Sequence, residues 1–184
     1  MENLPKGGAI LAANHSSYLD HFIIGTHLYR STGRIAHFLA KKEHFDDPLQ
    51  RWWHRYLEAI PLDRASGGKE ALAQAVKELK KGKLIMMYPE GTRTLTGKMN
   101  RGKTGAARLA IAANVPVIPI GITNTFKILP KGKWIPRFGL KADMRVGRPM
   151  MFERTDNRKD LRTQTTTLMK EIAKLAKTKY PYED

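Results

Sequence analysis

Short apolar runs of strand length recur along this chain, separated by helical patterns and turn residues. That rhythm limits the fold more than any other feature of the sequence. Ala9–Ala13, Ile35–Ala40, Ile60–Leu62, Leu84–Tyr88 and Val115–Ile120 are the runs. Between them, Tyr18–Tyr29 carries Tyr18, Leu19, Phe22 and Ile23 at helical spacing. Lys69–Lys81 places Leu72, Ala75, Val76 and Leu79 on one stripe and ends at Gly82, a natural C-cap. Pro48 suits the first turn of a helix through Leu57, and Lys103–Ala113 reads as a helix closed by Asn114. Further on, Thr125–Phe138 reads as a loop with a basic rim, Lys141–Val146 as a strand, and Lys159–Thr178 as an amphipathic terminal helix. The alternation predicts an α/β fold: one layered domain over residues 1–184, with a mainly parallel or mixed sheet flanked by helices. No apolar run reaches the roughly 18 to 20 residues that cross a bilayer, and Met1–Lys6 lacks a signal-peptide core.

In sheets of this kind ligands gather at the carboxyl ends of the strands. His15, Arg64 and Glu90–Arg93 each follow a predicted strand, so the topology would bring them to one edge. His15 and Asp20 are five positions apart, about 140° around a helix, and cannot share a helical face. They can meet if His15 lies in a turn and Asp20 in the first turn of the next helix. Asp20 would then bond one ring nitrogen and leave the other free as a base. The plainer alternative is a structural hydrogen bond on His15, with Asp20 favoured at a helix start by the macrodipole. After the strand Leu84–Tyr88, Pro89 stops the ladder and Gly91 permits a tight turn, where Thr92, Arg93 and backbone amides can converge on an anion.

The blocks His15–Asp20, Ile60–Arg64, Glu90–Arg93 and Val115–Gly121, in this order, resemble those of the glycerolipid acyltransferase family, typified by 1-acylglycerol-3-phosphate O-acyltransferases. The likeness covers about residues 2–150, including Glu2–Pro5 before the first block and Lys103–Arg108 between the third and fourth. It implies transfer of an acyl group from acyl-CoA or acyl carrier protein to a lysophospholipid hydroxyl, most directly that of 1-acylglycerol 3-phosphate, giving phosphatidate. His15 would be the general base of the His-x4-Asp motif and Asp20 its holder. Arg64 and Arg93 would bind the acceptor phosphate, and Gly91 and Thr92 would shape the anion-binding turn. Glu90 would orient an arginine, hold the acceptor hydroxyl, or form a structural ion pair. Pro119, with Pro116, would shape the acyl or donor site. The resemblance implies no metal and no cofactor beyond the acyl donor, and relatives are expected to carry membrane-associating helical residues upstream of the first block. Ser16 or Ser17 as a covalent nucleophile is a rival, but no glycine-flanked nucleophile elbow is present. The remaining histidines, His21, His27, His37, His44 and His54, fall in no metal-binding spacing.

Charge narrows the partners. Lys and Arg number 33 against 17 Asp and Glu, a net charge of +16. Such a surface attracts an anionic membrane, an acidic acyl donor or nucleic acid. Nucleic acid is the least supported, because no zinc-finger spacing and no aromatic-rich RNA-binding signature occurs. The expected place is cytoplasmic, peripheral at the inner face of the membrane. Phe45, Leu49, Trp52, Trp53 and Tyr56 beside Lys41, Lys42, Arg51 and Arg55 would suit a lipid–water interface. A non-catalytic basic module that docks on anionic membrane or nucleic acid would explain the charge but not the blocks. The chain has no cysteine, which excludes disulfides and a thiolate nucleophile.

Overall fold

The computed structural model describes residues 4–41, 45–48, 51–52, 59–62 and 68–183. In chain order the elements are β1 (Ala9–Ala13), α1 (Leu19–Thr32), β2 (Ala36–Lys41), β3 (Ile60–Leu62), α2 (Gly68–Lys80) and β4 (Leu84–Met87). They continue with α3 (Gly105–Ala113), β5 (Val117–Thr123), the single turn α4 (Thr125–Ile128), β6 (Asp143–Val146) and α5 (Arg158–Leu175). The strands form one sheet in the order β3-β2-β4-β1-β5-β6. β1 to β5 run parallel, and β6 pairs antiparallel with β5. The expected mixed α/β sheet is therefore present, with boundaries moved by a few residues. The helix expected from Pro48 to Leu57 falls largely outside the described residues.

β1 lies between β4 and β5, and every one of its residues is buried. Ile10 and Ala12 face one layer, where Leu79 of α2, Leu109 of α3 and Met169 and Ile172 of α5 close over the sheet. Ala9, Leu11 and Ala13 face the other, against Ile24 and Leu28 of α1. A strand covered on both faces has no polar alternation, which is why β1 reads as an unbroken apolar run.

The prolines of the fourth block predict an edge strand or an irregular start. Pro116 does precede β5, but β5 is not the edge, because β6 pairs beyond it. The irregularity sits in the partner. Val117 and Met150 exchange backbone bonds of 2.9 and 2.8 Å, and regular pairing resumes at Ile120 with Val146. Between these points the Gly147 N–H donates to the Pro119 carbonyl at 2.8 Å, and the N–H that Pro119 lacks falls where the ladder is already broken. Gly121 serves a different need. A Cβ there would stand 2.2 Å from the backbone nitrogen of Ala176, so only glycine lets the end of α5 lie directly on β5.

Candidate active site

The loops that follow β1 and β4 come together because those strands are neighbours. Asn14 extends the sheet past β1: its side-chain amide donates to the Ile122 carbonyl at 2.9 Å and accepts from the Ile122 N–H at 2.8 Å. Next along, the Ser17 hydroxyl donates to the Leu129 carbonyl at 2.7 Å and accepts from the Leu19 N–H. Ser17 is wholly buried and committed to backbone, which removes it as a nucleophile.

Pinned between Asn14 and Ser17, the chain turns His15 toward Asp20 in the first turn of α1. The Asp20 Oδ2 atom accepts from the Ser16 and Ser17 amides at 2.7 and 2.8 Å and lies 3.0 Å from His15 Nδ1. Asp20 is 0% exposed, so its charge depends on these donors and on the helix N-terminus. An ionised carboxylate only accepts, so Nδ1 carries the proton and Nε2 is left as the basic nitrogen. The His15 side chain keeps 12% exposure, enough to be reached.

β4 runs into the turn Tyr88–Gly91, closed by the Gly91 N–H on the Tyr88 carbonyl at 2.9 Å, with Pro89 and Gly91 at the positions such a turn favours. Glu90 is swung inward and is 2% exposed. Its Oε1 accepts from the His15 N–H at 2.8 Å and its Oε2 from the Asn100 N–H at 2.6 Å. Each carboxylate oxygen thus holds a backbone amide of a neighbouring loop, a structural role that stands beside those expected on an arginine, on the acceptor hydroxyl or in an ion pair. Burial pushes the Glu90 carboxyl up to about 6, opposed by those two amide bonds, and nearby Asp20 adds to the rise. The Thr94 N–H donates to the His15 carbonyl at 3.0 Å, a second tie between the loops.

Two aromatic neighbours of His15 have no signal in sequence spacing. The Tyr88 ring stacks on the His15 imidazole with centroids 3.8 Å apart at 14°, and His21 meets it edge-on at 5.3 Å. The Tyr88 hydroxyl lies 3.0 Å from His21 Nδ1. Burial, then the nearby His15, lowers His21 to about 4, with Asp20 opposing and Arg93 adding to the fall. The Tyr88 hydroxyl is pushed well above its ordinary value by burial and by Asp20. His21 is therefore neutral at physiological pH. The place of Tyr88 at the carboxyl end of a predicted strand is the one hint the sequence offers.

Cations gather at the turn. The Arg93 guanidinium lies 3.5 Å above the Tyr18 ring, and no carboxylate pairs with it among the described residues. Lys131 Nζ stands 3.5 Å from the Thr92 hydroxyl. A Cβ on Gly91 would meet Lys103 Nζ at 2.8 Å, so the Lys103 ammonium covers this turn, where Gly91 has φ of 75°. Lys103 and Lys131 are thus additions to the candidate set. Arg64 lies outside the described residues. Pro119 sits in the body of β5 beside Gly147, in register with Ala12 of β1. His15, Asp20, Glu90, Gly91, Thr92 and Arg93 are brought to one edge; Pro119 is not among them.

No helix among the described residues is long and apolar enough to cross a membrane. Comparison with known proteins agrees with the geometry. The Thermotoga maritima 1-acyl-sn-glycerophosphate (LPA) acyltransferase, PlsC, has the same fold in its crystal structure, with a TM-score of 0.73 and 30% identity over 98% of this chain and 71% of that one. The chain is 32% identical over 136 residues to 1-acyl-sn-glycerol-3-phosphate acyltransferase LPAT1, chloroplastic, of Arabidopsis thaliana, which is 72% of this chain and 37% of that protein. It is 30% identical over 134 residues to the 1-acyl-sn-glycerol-3-phosphate acyltransferase of Bacillus subtilis, covering 72% of this chain and 66% of the relative. The chain therefore spans 37% and 66% of these two relatives' own lengths. The model of the family described as Acyltransferase matches residues 1–123, and with the His15–Asp20 pair and the Glu90–Arg93 turn in place, the chain belongs to that acyltransferase family.

Proposed function

We propose that this chain transfers an acyl group from a thioester donor, acyl-CoA or acyl carrier protein, to the free hydroxyl of 1-acylglycerol 3-phosphate, giving phosphatidate. An alcohol is a poor nucleophile at neutral pH. His15 Nε2 takes the hydroxyl proton as the oxygen attacks the thioester carbonyl. Asp20, bonded to Nδ1, stabilises the imidazolium as it forms. Collapse of the tetrahedral intermediate breaks the C–S bond, and the imidazolium returns its proton to the departing thiolate. The thiol leaves and the ester remains. The donor is a co-substrate, and the chemistry requires no metal or other cofactor.

Arg93 binds the acceptor phosphate from the turn, helped by Lys103 and Lys131, with Gly91 and Thr92 shaping the backbone there. Arg64 is proposed as a second phosphate ligand from the resemblance alone. Pro119 is assigned to the donor side only through its strand. The setting is a peripheral one at an anionic cytoplasmic membrane face, where the net charge of +16 favours residence.

The 3.0 Å His15–Asp20 contact, backed by the Ser16 and Ser17 amides, carries this reading. A non-catalytic basic module has no use for an imidazole held in one tautomer. Thiol release from acyl-CoA should depend on added 1-acylglycerol 3-phosphate and disappear in His15→Ala. A folded His15→Ala variant with near-normal turnover refutes the assignment.

A further inference from the structure

The loop that leaves the site beyond α4 has an unusual surface. Trp134 is 86% exposed, Ile135 80% and Phe138 88%, while Lys131, Lys133 and Arg137 in the same loop are exposed as well. Three large apolar side chains placed in water this way are costly for a segment with no covering partner.

The loop is nonetheless held firmly at its base. The Arg137 N–H donates to the Ile128 carbonyl at 2.8 Å, and the Lys133 N–H to the Pro130 carbonyl at 3.1 Å. The Asn124 side-chain amide donates to the Lys141 carbonyl at 2.9 Å, anchoring the far end. These bonds tie the loop to itself and to α4, and Trp134, Ile135 and Phe138 stand exposed between them. The loop also touches the catalytic edge through the Ser17–Leu129 and Thr92–Lys131 contacts.

We propose that residues 129–141 form a wedge that inserts into an anionic lipid bilayer and seats the His15 edge on its surface. Trp134, Ile135 and Phe138 enter the headgroup–acyl boundary, and Lys133 and Arg137 remain among anionic headgroups. A tryptophan at such a boundary satisfies its ring and its N–H together. Cations beside apolar residues match anionic lipid in charge, whereas a second copy of this chain, also at +16, is repelled. The proposal deepens the reading of a membrane-resident acceptor, yet vesicle binding can be measured with neither donor nor acceptor present. Its failure is thus distinct from a failure of acyl transfer.

The test measures partition of the full chain onto vesicles of phosphatidylcholine alone and of phosphatidylcholine with phosphatidylglycerol, by co-sedimentation. Wild type should bind the anionic vesicles and release as salt rises. The variant Trp134→Ala/Ile135→Ala/Phe138→Ala should bind about 100-fold more weakly with an unchanged far-ultraviolet spectrum and melting temperature. Lys133→Gln/Arg137→Gln should weaken binding about 25-fold, at roughly fivefold per charge, and flatten the salt dependence. In a Trp52→Phe/Trp53→Phe background, Trp134 is the only tryptophan of the original 3, and brominated lipid should quench it. Equal partition of the triple variant and wild type overturns the proposal, as does Trp134 fluorescence that bromine leaves untouched. Equal binding to neutral and anionic vesicles overturns the role of the cations. A dimer broken by the triple substitution, without vesicle binding, overturns the proposal in favour of a second copy.

Discussion

Replacing Asp20 with asparagine separates the charge of this carboxylate from its shape. In the native site Oδ2 takes the His15, Ser16 and Ser17 donors, while Oδ1 is buried with no hydrogen-bond partner. The amide introduced by Asp20→Asn has two orientations available, and each carries a penalty. With its oxygen in the Oδ2 position, the geometry survives but an NH2 group is buried without an acceptor, at about 1–3 kcal/mol. Flipped, the NH2 donates to His15 Nδ1, forces the proton onto Nε2 and abolishes the base. Either way the imidazolium loses its counter-charge. At the 3.0 Å separation seen here and an effective dielectric of about 20, that attraction is about 5 kcal/mol. The two serine amides already share the same oxygen, so part of it is spent, and the expected fall in kcat is about 10³- to 10⁴-fold. A thiol-reactive chromogen reads CoA release directly, and urea titration of the same sample reads the stability loss. Turnover within tenfold of wild type would show that Asp20 holds the loop and contributes nothing to the chemistry.

Arg93→Lys should raise KM for 1-acylglycerol 3-phosphate at least about tenfold, because lysine cannot supply the bidentate fork, and leave a phosphate-free monoacylglycerol unaffected. An equal loss for both acceptors would mean that Arg93 only props Tyr18. Gly121→Ala should cost about 3 kcal/mol in chemical denaturation, since its Cβ would lie 2.2 Å from the Ala176 nitrogen and must push α5 off the sheet. His21 and Glu90 give opposed pH dependences. His21 protonates at about 4 in the folded chain against an ordinary 6.5, so stability falls as pH drops from 6.5 to 4, by at most about 3 kcal/mol. Glu90, raised from 4.5 to about 6, costs the folded state about 2 kcal/mol as pH rises through that interval. Denaturation midpoints across pH for His21→Gln should show a shallower acid decline than wild type, and parallel curves would refute the contribution of His21.

The parts of this site that can be read from sequence are those carried by local chain chemistry. His15 and Asp20 announce themselves because a five-residue offset makes sense only across a turn and a helix start. The strand before Pro89 and the glycine at 91 likewise place the second loop by backbone rules alone. What stays hidden depends on contacts across the sheet. Tyr88 reaches His21 over 67 positions, and Ser17 reaches Leu129 over 112. No periodicity encodes such pairings, so His21 looks like an ordinary surface histidine and Lys103 like a helix-start cation. Glu90 is legible as important but not in its part, because an acid two residues after a strand can face substrate or backbone equally well. The Thr125–Phe138 segment reads as a loop, and the turn α4 at its head is too short to leave a periodic signal. Pro119 misleads in another way: proline is scarce inside sheets, yet a break in the neighbouring strand accommodates it.

An anionic acceptor entering an edge that holds two acids would be expected to meet repulsion. The inward tuck of Glu90 removes half of that difficulty. With each oxygen capped by a peptide dipole, its field is turned into the protein, while the Asp20 field is shielded behind the imidazole. On the proposed reading, an approaching phosphate would meet the guanidinium of Arg93 and the ammonium groups of Lys103 and Lys131 first, with the two acids lying beneath them.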